Sequence, residues 1–185
     1  MEDLKPRIGL AQHVPETVWG PIVAAAGLGL LGMLGWLIGS PLLFASLGPT
    51  LFLIALEPAN PSTRFYNVTA GHLIGLGAAA LSAWATGATH AAAMNVHEAL
   101  PGTRLAAAIL ALVLTMIGQG LLKVSHAPAA ATTLLFALGT LPLDPRAAAL
   151  FVGAVVVTAL VGELFRRARK GPSPPSPLPR VPGQA

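Results

Sequence analysis

The sequence predicts an all-α polytopic membrane protein: six membrane segments in two inverted three-segment repeats, the middle segment of each short and broken. Three observations carry this. The chain is 54% hydrophobic and 10% charged, with a mean hydropathy of +0.71. A soluble domain carries roughly 25% charged residues, so this one lacks the charge to clothe a water-facing surface. Its apolar runs also reach the 17 to 25 residues, roughly, that a membrane helix needs. Finally, one three-part pattern occurs twice, about 83 residues apart.

In the first copy an apolar run at 22–38 is followed by a Pro/Gly-interrupted segment at 41–56 and a third run at 68–87. The second copy has runs at 105–122, 127–143 and 147–164. The repeats thus cover 22–87 and 105–164 within a transmembrane domain over 21–165. Sliding Thr50 onto Thr133 lays Thr-Leu-Phe-Leu-Ile-Ala-Leu over Thr-Leu-Leu-Phe-Ala-Leu-Gly. Three crossings per copy is an odd number, so the second copy sits upside down relative to the first. Residues 1–20 read as a polar cytoplasmic segment and 166–185 as a disordered basic, Pro-rich tail. The pairs Gly35/Gly39 and Gly71/Gly75 have the spacing that lets membrane helices pack closely.

The short segments are the informative ones. A helix over 41–56 would reach roughly 24 Å, short of a hydrocarbon core about 30 Å thick. Gly48-Pro49 interrupts it further, because Pro lacks a backbone donor and suits a first helical turn. An extended lead-in and a helix starting near Pro49 are therefore expected, with a counterpart starting near Pro128. Unwound backbone survives at membrane depth only inside protein or along a wet cavity. In inverted repeats, such matched breaks point to a transporter's substrate site.

Charge sets orientation. With six crossings, all of the 11 Lys and Arg except Arg104 and Arg146 fall on the side of the termini, which is then the cytoplasm. Re-entrant short segments leave the sign of that bias unchanged. The plasma membrane of a bacterium, its inner membrane, is the expected location. The net charge of +4 and pI near 10.4 arise at segment ends and in the tail. They form no face for phosphates, so nucleic acid is not an expected partner. Cysteine is absent, which removes disulfides and thiolate metal sites. His90, His97 and Glu98 match no metal spacing, and no metal or cofactor is expected. Glu163 and Gln119 lie near segment ends and read as interfacial.

Three motifs, in order and spacing, resemble the HPP family of integral membrane proteins over roughly residues 20–165. Lys123-Val-Ser-His-Ala-Pro-Ala-Ala-Ala-Thr-Thr-Leu-Leu135 is similar to the family's His-Pro-Pro segment, with Ala127 in place of its first proline. Ser46-Leu-Gly-Pro-Thr-Leu-Phe52 resembles a Gly-Ala-Ser segment, here Gly-Pro-Thr. Asn67-Val-Thr-Ala-Gly-His72 resembles the Asn…Gly-His motif. The resemblance implies a transporter-like protein, and plant and cyanobacterial members are linked to nitrite.

Two helix starts facing each other would offer unpaired backbone N–H groups and positive dipole ends, which favour a small anion. The candidate substrate-binding residues are Ser46, Gly48, Pro49, Thr50, Ser125, His126, Pro128, Thr132 and Thr133. His72, inside an apolar segment, is a candidate for proton handling or for bridging helices. No phosphate loop, carboxylate pair or nucleophile elbow is present, so an enzyme is not expected. The expected partners are a small anion, nitrite foremost, and the bilayer; a homo-oligomer is compatible. A non-transporting structural or regulatory subunit is the alternative.

Overall fold

In lipid a chain must satisfy its backbone within itself, and a single segment does so only as a helix. Every regular element among the described residues is helical. The computed structural model describes residues 13–170. In chain order the helices are α1 (Glu16–Leu37), α2 (Leu47–Leu56), α3 (Phe65–Ala85), α4 (Gly102–Leu121), α5 (Ala129–Ala137) and α6 (Pro145–Lys170). Short 3-10 turns at Pro61–Thr63 and Ala88–His90 flank α3. Helices α1, α3, α4 and α6 are long and apolar enough to cross a membrane. With 10 and 9 residues, α2 and α5 reach only about 15 and 14 Å. The order long, short, long therefore occurs twice, under the shift that carries Thr50 onto Thr133.

The breaks fall where proline and glycine predict them. Residues 41–44 have no regular structure, and α2 begins at Leu47 with Pro49 in its first turn. Pro128 occupies the N-cap position of α5, after an irregular stretch at 124–126. At the two ends of the transmembrane domain the helices run past the limits read from the sequence. Helix α1 starts at Glu16, inside the segment read as polar, with Pro15 at the N-cap position and an acidic first turn that suits the positive helix end. Helix α6 runs on to Lys170, past the expected start of the tail. Glu163 fastens that last turn through Arg166 at 2.6 Å and Arg167 at 2.7 Å, and Arg169 reaches Glu16 at 2.8 Å. The rest of the expected N-terminal segment and tail, at 1–12 and 171–185, lies outside the described residues.

Small residues let the short helices sink between the long ones. α2 lies against α1 and α6, where a Cβ on Gly27 would come within 2.5 Å of the Leu51 side chain and one on Gly162 within 2.5 Å of Ile54. α5 lies against α3 and α4. On α3, a Cβ at Gly71 would sit 2.7 Å from the His126 Cβ, and one at Gly75 2.8 Å from the Thr133 Oγ1. The Gly71/Gly75 pair is thus a seat for α5. Gly35 and Gly39 serve otherwise: Gly39 takes φ +63° and the Ser40 N–H bonds the Gly35 carbonyl, ending α1. Phe44, Phe136 and Phe151 fill the interior with edge-to-face rings 5.2 Å apart. Large apolar side chains also cover the outside, among them Trp36, Trp84, Met116 and Leu164, as a lipid-facing surface requires.

Candidate functional site

The two short helices begin beside each other and run to opposite ends of the bundle. The start of α2 and the approach to α5 touch through Thr50 and His126. At its far end α2 meets the beginning of α1, where a Cβ on Gly20 would lie 3.3 Å from the Leu56 side chain. The far end of α5 meets the beginning of α4, where Arg104 donates to the Ala137 carbonyl. A buried polar cluster fills the place where they start.

Its centre is the Thr50 hydroxyl. Oγ1 lies 2.9 Å from His72 Nε2 and 3.1 Å from His126 Nε2, and those two nitrogens are 3.3 Å apart. The rings meet edge to face at 4.9 Å. His72 Nδ1 is 2.6 Å from Thr132 Oγ1, and His126 Nδ1 is 2.8 Å from the Ser62 carbonyl. Thr50, His72, Thr132, His126 and Ser62 are all buried.

One hydrogen is fixed by chemistry, and with His126 neutral one arrangement of the others satisfies the contacts around Thr50. A carbonyl only accepts, so His126 Nδ1 carries a hydrogen and donates it to Ser62. In neutral His126, Nε2 is then an acceptor and takes the Thr50 hydroxyl hydrogen. Thr50 accepts in turn from His72 Nε2–H, and His72 Nδ1 accepts from Thr132. Each hydrogen is used once. The Thr50 hydroxyl has a second acceptor, the Ser46 carbonyl, at 3.4 Å.

A further ring of polar groups holds the segment before α5. Gln119 clamps the His126 backbone from both sides: its Oε1 accepts from His126 N at 3.0 Å and its Nε2 donates to His126 O at 3.2 Å. Asn67 Oδ1 accepts from Ser125 N at 3.0 Å. Thr115 on α4 and Thr133 on α5 share a hydrogen bond of 2.8 Å. Opposite them, the Ser46 hydroxyl is buried and has no hydrogen-bond partner among the described residues.

The expected unpaired amides at the helix starts are not free. Leu47 and Gly48 donate to the carbonyls of Phe44 and Ala45, and position 49 is proline. Ala129, Ala130 and Ala131 donate to His126, Ala127 and Pro128. Each chain segment joins its helix through a tight turn whose own carbonyls consume the first donors. What remains for a ligand is side-chain polarity and two positive helix ends.

A family model described as HPP, transmembrane region, matches residues 10–174. The chain belongs to the HPP family. It is an integral membrane protein, with four helices of spanning length and apolarity among the described residues. No curated protein and no solved structure matches it. Of the candidate residues, this HPP protein brings together Thr50, His126, Thr132 and His72, with Ser46 and Thr133 alongside. Four stand outside the cluster. Ser125 is exposed, and a Cβ on Gly48 would meet nothing within 4 Å. Pro49 and Pro128 instead line, with Ala127 and Ala131, an open groove of about 430 Å³. The sequence reading missed Ser62, Thr115 and Gln119 as participants. Gln119 carried a signal, being an amide in an apolar run one short loop before His126.

Proposed function

We propose that this HPP protein is a membrane transporter that moves a small inorganic anion, nitrite foremost, together with a proton. The pathway runs through the cluster where α2 and α5 begin, and its two halves are inverted repeats of three segments. The observation that carries the reading is the His72–Thr50–His126 arrangement, two imidazoles meeting on one buried hydroxyl at the two breaks. Ionisable side chains are costly within a bilayer and are characteristic of ion pathways and proton relays.

The hydrogens describe how a proton is taken. Protonation at His126 Nε2 turns that atom into a donor to Thr50 Oγ1, and the Thr50 hydrogen swings to the Ser46 carbonyl. Two imidazolium rings 4.9 Å apart repel, so the pair holds one proton at a time. The resulting cation, with the two positive helix ends and the unpartnered Ser46 hydroxyl, suits one compact anion. The transported pair is electroneutral. This matters because carrying a monovalent anion into a negative interior costs about 2.3 kcal/mol per 100 mV.

Uptake into proteoliposomes tests the proposal. An acid-outside gradient should drive nitrite inward; His126→Ala should abolish that uptake while the protein still purifies folded. Uptake indifferent to collapsing the gradient would remove the proton from the account. Absence of any solute flux would favour the other reading, a structural or regulatory subunit, to which the fully engaged amides at both helix starts lend support. No chemical step is assigned to the cluster. Orientation is tested separately in the cysteine-free chain, in the bacterial inner membrane. Ala59→Cys should react with impermeant reagents only in opened cells and Val96→Cys in intact ones; the reverse pattern would invert the proposed cytoplasmic termini.

A further inference from the structure

At the opposite end of α5 from the histidines lies a cavity of about 410 Å³ whose wall includes a buried cation. Arg104, in the first turn of α4, is 7% exposed. Its guanidinium donates from Nε to the Ala92 carbonyl at 3.2 Å, from Nη2 to Ala91 at 2.9 Å and from Nη1 to Ala137 at 3.2 Å. Guanidinium carries five N–H groups, so two remain. Among the described residues no carboxylate lies within ion-pair distance of it. The nearest acidic wall residue is Asp144, exposed, with its Oδ1 accepting from the Ala147 N–H.

The surroundings are shaped around this group. Gly139 takes φ +78°, and a Cβ there would lie 2.6 Å from the guanidinium carbon. The Met94 N–H bonds the Leu138 carbonyl, holding the loop after α3 against the end of α5. The Thr89 side chain lines the same cavity. A desolvated cation satisfied only by carbonyl dipoles still lacks a counter-charge, and burial makes such a charge costly. Phe136 forms part of the cavity wall, and its ring meets Phe151, which meets His72 at 5.9 Å. Two phenyl rings thus stand between this cavity and the histidine cluster.

The geometry points to a second anion site in this protein: the Arg104 cavity binds one compact monovalent anion through the two remaining guanidinium N–H groups. The site is separate from the histidine cluster and does not rest on the transport reading. A lipid phosphate has the same acceptor chemistry, so the test must separate a free anion from a headgroup.

Bromide is the probe, followed by the broadening of its NMR line on adding purified full-length protein in lipid-free detergent. Wild type should broaden the line, and nitrite should reverse it. In the His126→Ala background, Arg104→Gln should abolish the effect. Because that variant also loses carbonyl bonds, Ala93→Leu supplies the second arm. It enlarges a wall residue that takes no part in the guanidinium's hydrogen bonds, and should weaken bromide at least about tenfold with the melting temperature unchanged. His126→Ala should leave bromide binding intact. Bromide binding unaffected by Ala93→Leu, or lost in His126→Ala, overturns the proposal. Loss of bromide binding when anionic phospholipid is added, but not with a zwitterionic one, assigns the cavity to a headgroup and overturns it equally.

Discussion

The segments leading into α2 and α5 occupy matching places in the two halves, yet they are held by different means. Ahead of α5 the backbone at Ser125 and His126 is gripped by the amide side chains of Asn67 and Gln119, and the His126 ring is tied to Ser62. Ahead of α2 the Ser46 hydroxyl is unpartnered among the described residues, and the helix is held by Thr50 at the histidines and by packing of Leu51 and Ile54 over glycines. Hydrogen bonds fix direction, whereas apolar contact in lipid restrains position with little orientational demand. The α5 side is a rigid reference, and the α2 side has spare polar capacity. On the transport proposal, that difference favours ligand contact at Ser46 and Thr50 over the backbone before α5.

Steric substitution gives the largest test of this contrast. Gly75→Leu drives a side chain into the Thr133 hydroxyl and the Ala129 carbonyl, 2.8 and 3.0 Å from the new Cβ, and overpacking of that kind costs about 3 kcal/mol. Gly48→Leu meets open space and should be tolerated. Thermal unfolding in detergent should show a large drop for the first and little change for the second. Equal drops would mean that the two helix starts are packed alike.

A smaller effect is expected at the clamp. Gln119→Leu strands the His126 N–H and removes one of the two donors to its carbonyl, costing about 2 kcal/mol. A melting temperature unchanged in this variant would show that the clamp contributes no rigidity. The smallest effect is Ser46→Ala, which removes a hydroxyl that has no partner to lose. Its stability should stay within about 0.5 kcal/mol of wild type, while nitrite uptake falls. Loss of stability with uptake intact would reverse the assignment of roles.

Much of the architecture was legible because the bilayer imposes length. Runs of spanning size, and shorter ones broken at Gly48-Pro49 and Pro128, foretold four long helices and two short ones starting at those prolines. Facing was harder to read. In an apolar helix no polar stripe marks the inner side, so Gly48 and Thr50 looked equivalent, though residues two apart on a helix do not share a face. Only the folded chain shows Thr50 turned to the histidines and Gly48 away. The same holds for the adjacent pair Thr132 and Thr133, of which one meets His72 and the other Thr115. The consumed amides were also hidden, since whether a proline-led helix start begins with a tight turn depends on dihedrals rather than on composition.

The fastening of α6 to α1 bears on how the bundle assembles during synthesis. Arg169 binds Glu16 and lies over the Trp19 ring, while Phe165 packs edge-on to the same indole. Helix α1, made before α6, thus finds this partner only when α6 has been made. Thr50 likewise waits for His126, 76 residues further along the chain. Contacts so distant in sequence are slow to form because the intervening loop must close first. Until α6 arrives, α1 depends mainly on α2 and on lipid, so the unfinished bundle leaves the side of α1 that will meet α6 uncovered.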